Sequence, residues 1–189
     1  MANEKDKEVR AAGTSKFIDI LAVIDTDYIK RTYGPKPNST PNTPFDIDHN
    51  SEYMICINSR GTVKGQATAD IEFQAYPGDH ISFRATSADQ NSDDAVILYN
   101  IQKFGGTDVF NRFVCNIVTR NRAVEPDPAS INGLPPKFVT ESFTSLDSVV
   151  ARGGKENFQV CIAVYTTVKG QEQQLYGYYR WDPTITVNQ

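Results

Sequence analysis

Histidine, methionine and cysteine are scarce in this chain of 189 residues, and each shortage closes off a class of function. Only His49 and His80 are present, so no site rich in imidazole can form and a Ser-His-Asp arrangement has few ways to be built. Cys56, Cys115 and Cys161 all lie in apolar strand-like runs, and an odd count there predicts reduced, buried thiols in a reducing compartment. No run approaches the ~20 apolar residues a membrane-crossing helix needs. The first residues are charged and lack the apolar stretch of a secretory signal. There is no Gly-x-Ser-x-Gly elbow, and no glycine-rich loop leads from a strand into a helix to cradle phosphate. A net charge of −4 gives no electrostatic footprint for nucleic acid or an anionic membrane.

What is abundant is aromatic and alternating. Nine Tyr and ten Phe favour strands. Phe17–Ile24 is apolar and ends at Asp25-Thr26-Asp27; Tyr53–Ile57 follows and closes at Asn58-Ser59-Arg60-Gly61. Ile71, Phe73 and Ala75 alternate with polar residues, Tyr76-Pro77-Gly78-Asp79 is a turn, and Ile81, Phe83 and Ala85 alternate again, which reads as a hairpin. Ala95–Tyr99 carries no charge and reads as a strand buried on both faces. Phe113–Val118, an edge strand at Phe138–Phe143, Phe158–Tyr165 and Leu175–Trp181 complete the set, with Lys169-Gly170-Gln171 leading into the last. Two segments with four prolines each, Arg31–Asp48 and Arg122–Lys137, read as long loops. The expectation is an all-β chain: an antiparallel, jelly-roll-like β-sandwich of eight or nine strands with no helix, one domain over residues 17–189 behind a flexible charged leader at 1–16.

Oxygen ligands gather in one place. Asp89-x-Asn91-x-Asp93, followed by Asp94, spaces carboxylates and an amide as a Ca²⁺ loop does, although Gly and Glu are missing from the positions an EF-hand requires. The same residues also suit an Asx-rich turn whose side chains bond local N–H groups. Asp25 and Asp27 fall on one face at the end of the first strand, where they could join the same cation or, as an acid–base pair, serve glycoside hydrolysis. Asp46-x-Asp48-His49 offers mixed ligands for a transition metal. In the last strand, alternation sends Tyr176, Tyr178 and Arg180 to one face and Tyr179 and Trp181 to the other; an exposed aromatic face would suit another subunit or a sugar ring.

Several segments taken in order resemble the AidA/PixA family of bacterial inclusion-body proteins: Ile24–Tyr28, Asp48–Ile55, Asn91–Val96, Phe110–Phe113, Glu156–Phe158 and Leu175–Pro183. The resemblance spans nearly the whole chain and implies a small cytoplasmic protein that accumulates in inclusions, with no catalytic activity and no catalytic residue to carry over. Met1 and Met54 are the only methionines, which argues against a methionine-rich storage member. The leading expectation is therefore a non-enzymatic protein that forms homo-oligomers through its aromatic last strand. The alternative is a Ca²⁺-dependent carbohydrate-binding module built on Asp89, Asn91, Asp93 and Asp94 with Asp25 and Asp27.

Overall fold

A computed structural model describes residues 14–168 and 172–189. The leader expected at 1–16 lies outside the described residues as far as 13, and so does the Lys169–Gln171 connection. Eleven strands and one helix are described: β1 (Phe17–Ile24), α1 (Thr26–Tyr33), β2 (Phe45–Asp46), β3 (Glu52–Ile57), β4 (Ile71–Gln74), β5 (His80–Ser87), β6 (Asp94–Gly106), β7 (Val114–Asp127), β8 (Gly133–Val149), β9 (Gly154–Thr167), β10 (Gln173–Trp181) and β11 (Thr184–Asn188).

Two sheets pack face to face. The first has the order β3-β1-β5-β8-β7. In the second, β9 is central: β6 pairs along one side, while β10 and β11 pair end to end along the other and carry β2 and β4 outside them. Alternation decides what goes inward. Ile18, Ile20, Ala22 and Ile24 of β1 meet Phe158, Val160, Ile162 and Val164 of β9 in one core that also takes in Phe73, Phe83, Tyr179 and Trp181.

The all-β sandwich is as expected, with several differences in detail. There are eleven strands, and both sheets are mixed, because β1–β5, β2–β10 and β4–β11 are parallel pairs. The β4 and β5 segments are no hairpin: β4 joins the second sheet and β5 the first, so the Tyr76–Asp79 turn crosses between layers. Asp79 anchors that crossing. Its buried carboxylate accepts from the N–H groups of Tyr76 and Lys16, each at 2.8 Å, and from Arg60 Nε at 2.6 Å and Nη2 at 2.7 Å. Ala95–Tyr99 is not buried on both faces: β6 is an edge strand, with Val96 and Leu98 inside and Ile97 47% exposed.

The two proline-rich segments also differ from expectation. Residues 34–44 form a loop, and it lies on the outer face of the second sheet: Lys36 N–H donates to Tyr176 O at 3.0 Å, and Tyr99 Oη donates to Pro41 O at 3.1 Å. The Arg122–Lys137 segment instead belongs to a long ribbon made by β7 and β8, whose register runs from Val114↔Asp147 to Asp127↔Gly133. Phe138–Phe143 is the middle of β8 and lies at an edge as expected, since it pairs with β7 on one side while β5 reaches β8 only over residues 146–149. Cys56 and Cys161 are buried as expected; Cys115 is exposed, on the edge strand β7 opposite Leu146.

Candidate functional site

The helix the sequence reading missed rearranges the acidic cluster. Asp25 ends no strand as a paired carboxylate: it is the N-cap of α1, its Oδ1 accepting from Tyr28 N–H at 2.8 Å. Asp27 sits in the first turn, where a carboxylate suits the positive end of the helix dipole. Ile29 is the residue α1 buries completely, and Gly34 closes the helix with its N–H bonded to Lys30 O at 3.2 Å. The two aspartates therefore do not share a strand face.

They do share a hollow with the acidic loop. Asp25, Asp27, Asp89, Asp93 and Asp94 line a space of about 320 Å³, and Lys30 enters it from α1. The Lys30 ammonium lies 2.5 Å from Asp94 Oδ2 and 3.0 Å from Asp27 Oδ1. Burial pushes the Asp94 carboxyl up, but hydrogen bonds from Lys30, Thr166 and Thr26 outweigh it and hold the group below its ordinary range. Burial likewise pulls Lys30 down, and Asp94 and Asp27 more than restore it.

The loop's remaining oxygens face its own backbone. Asn91 Oδ1 accepts from Ser87 N–H and Val96 N–H, each at 2.9 Å, and Asp89 Oδ2 accepts from Asp93 N–H at 3.1 Å and Asp94 N–H at 3.0 Å. Gln90 and Asn91 adopt φ of 60° and 63° to make this turn, a conformation Asn tolerates better than most residues. Among the described residues, no three His, Cys, Asp or Glu side chains are set to hold a metal ion. The arrangement is a turn closed by its own side chains, with an ammonium between the carboxylates.

The other candidate ligands are dispersed. Asp46 pairs with Arg180, and Asp48 accepts from Tyr28 Oη at 2.8 Å. His49 lies between Asp182, 2.9 Å from Nε2, and Asp70, 3.6 Å from Nδ1. Next to it, Glu52 is only 1% exposed; Ser51 Oγ donates to its Oε1, while its Oε2 has no partner. Burial pushes this carboxyl up to about 7.

The last strand is divided as alternation requires from Tyr178 to Trp181, while a register shift between Leu175 and Gly177 takes Tyr176 off the outer face expected for it. Tyr179 and Trp181 are core residues, at 0% and 1% exposure, which takes them out of any interface. On the opposite face the rings of Tyr178 and Tyr99 meet edge to face at 5.7 Å, under the loop that Tyr99 Oη bonds. Tyr176 is half-buried and packs against the core. The outer aromatic face is thus largely covered within the chain.

The surface the sequence reading overlooked is the β7–β8 ribbon. β5 pairs with β8 only over residues 146–149, so from Asn116 and Ser145 outward the ribbon has two strands with no third paired to it among the described residues. Register identifies its faces. Leu146, buried at 4%, marks the side that faces the core, and its neighbours on that side are Cys115 and Ile117. Beyond the irregularity between Arg120 and Ala123 the same side carries Val124 and Phe138. Ile117 and Val124 are each 64% exposed and Phe138 53%. The core face of the first sheet therefore runs on past the sandwich, where the Arg122 guanidinium lies over the Phe138 ring, 4.4 Å from its centroid, while Ile117 and Val124 stay exposed. Apolar residues at Val114–Val118 and Phe138–Val139 were visible in the sequence, but four prolines between them read as a loop.

The described residues form a two-sheet β-sandwich with a projecting two-stranded ribbon. The family model described as PixA, inclusion body protein, matches residues 16–187, and the chain belongs to that family. Its fold is similar to the crystal structure of an inclusion body protein (PixA) from Burkholderia cenocepacia J2315, at 28% identity over 93% of this chain and 97% of that one, with a TM-score of 0.72. No curated protein matches. No described helix is long and apolar enough to cross a membrane.

Proposed function

We propose that this protein is a self-associating structural domain that acts by assembly rather than catalysis, and that its contact surface is the β7–β8 ribbon. The observation behind this reading is the exposed apolar face formed by Ile117, Val124 and Phe138. A single two-stranded ribbon is marginal in water, and three or more strands or a packed face are needed for it to be stable. Apolar surface gathered in one place marks a contact. A second copy of the same chain is the partner that family membership favours, since the family is named for inclusion bodies. On this reading the protein collects in cytoplasmic inclusions, and the ribbon replaces the last strand as the contact surface.

Light-scattering mass across a concentration series tests the proposal. The expected result is a mass above one chain for the natural protein and a single-chain mass for Ile117→Glu/Phe138→Glu. Both residues stand well clear of the core, so the variant is expected to keep its unfolding midpoint. A natural protein that stays at single-chain mass at millimolar concentration would overturn the reading.

A further inference from the structure

The two outer edges of the first sheet are treated in opposite ways. At β3 the edge is closed: Met54 N–H donates to Thr68 O at 3.0 Å, Met54 O accepts from Ala67 N–H at 2.8 Å, and Gln66 takes both backbone groups of Cys56. Along β7 no such cover lies among the described residues, because residues 114–127 pair with β8 alone. An open row of N–H and C=O groups this long is a template for another strand.

The charge order along β7 selects the direction of that strand. Arg120 and Arg122 come first, and Glu125 and Asp127 follow, with Asp127 3.1 Å from Lys137 of its own ribbon. Two copies of β7 laid parallel would set arginine against arginine. Laid antiparallel about a two-fold axis between residues 122 and 123, they set Arg120 of each copy opposite Glu125 of the other, with Arg122 a diagonal neighbour of that glutamate.

Resting on the self-association reading, we propose that two copies join β7 to β7, antiparallel, about that axis. The two ribbons then become one four-stranded sheet, which meets the strand number an isolated ribbon lacks. An axis normal to the sheet brings Ile117, Val124 and Phe138 of both copies onto the same side, merging two apolar stripes into one.

Nitroxide labels placed singly at Asn116, Asn121 and Glu125 in a Cys115→Ser background, with distances measured by pulsed electron resonance and mass by light scattering on the same samples, test the pairing. Cys56 and Cys161 are buried, so labelling falls on the introduced thiol. The expected distance is shortest at Asn121 and lengthens by roughly 7 Å for each residue away from the axis, twice the rise along a strand. Arg120→Glu/Arg122→Glu is expected to weaken association at least tenfold, and adding Glu125→Arg/Asp127→Arg to restore it. A mass above one chain without a minimum near Asn121 would overturn the edge pairing and leave self-association standing. A single-chain mass throughout would overturn both.

Discussion

The side chain of Gln66 pairs with Cys56 as a neighbouring strand would. Its Oε1 accepts from Cys56 N–H at 2.8 Å, and its Nε2 donates to Cys56 O at 2.7 Å. One carboxamide closes two backbone groups at the edge of the first sheet. Gln66→Ala is expected to lower stability by about 1–2 kcal/mol, the typical net value of two such bonds, as read by urea unfolding. The same variant should scatter more light on warming, because an opened edge invites strand pairing. An unchanged midpoint would mean that water replaces the carboxamide at no cost.

Arg60 holds the one carboxylate on which the crossing from β4 to β5 depends. Removing it leaves Asp79, 1% exposed, without its charge partner. Arg60→Ala is expected to cost about 3–5 kcal/mol, as for other buried pairs broken from one side. Burial pushes the Asp79 carboxyl up, but Arg60 and the N–H groups of Tyr76 and Lys16 hold it below its ordinary range. The sign follows: its contribution is present above the unfolded value near ~4 and is lost as pH falls through the lower folded value, so the natural protein should lose stability in acid more steeply than Asp79→Asn.

Lys30 bears on whether the acidic hollow takes calcium. With its ammonium 2.5 Å from Asp94, a cation is already supplied from within the chain. Lys30→Gln should destabilise by about 1–3 kcal/mol, discounted from a fully buried pair because the lysine is partly exposed. Millimolar Ca²⁺ should raise the melting midpoint of that variant and leave the natural protein nearly unmoved. A clear shift in the natural protein would favour the calcium-dependent reading of Asp89, Asn91, Asp93 and Asp94.

Glu52 should leave a signature in the pH dependence of stability. Burial raises its carboxyl from 4.5 to about 7, so between those values the folded protein holds a proton that the unfolded chain has released. Stability from this group therefore falls as pH rises from 4.5 to 7, by about 3 kcal/mol in all. Glu52→Gln is expected to remove that slope and to be the more stable protein above pH 7. His49, raised despite its burial by Asp182, Asp70 and Glu52, also loses its contribution as pH rises, so the difference between the two proteins reports Glu52 together with its coupling to His49.

The strands were legible because alternation was strong where a single face is buried, as in Ile18-x-Ile20-x-Ala22-x-Ile24. The helix was not: Thr26–Tyr33 contains weak helix formers, and its eight residues stand on one cap and one buried apolar side chain, Ile29. Turn chemistry at Tyr76–Asp79 was read correctly, yet a turn does not reveal whether its strands pair or part. That depended on Arg60 reaching Asp79 from another loop. Asp25, Asp27, Asp89, Asp93 and Asp94 line one hollow without Asn91, while the partner that fills it, Lys30, lies three residues beyond Asp27 and becomes its neighbour only once α1 forms. The ribbon escaped because proline usually ends a strand; here Pro126, Pro135 and Pro136 lie near its tip, where β7 and β8 have only each other.

The parallel pairing of β4 with β11 sets Ile71 beside Ile185 and Phe73 beside Val187. During translation, β4 therefore has no strand beside it until more than a hundred further residues have left the ribosome, while Phe73 waits for its place in the core. Closing so long a loop is slow, and folding limited by it is sensitive to concentration and to chaperones. Until then the backbone of β4 has the earlier Arg60–Lys64 segment to bond, through Lys64 to Glu72 and Arg60 to Gln74.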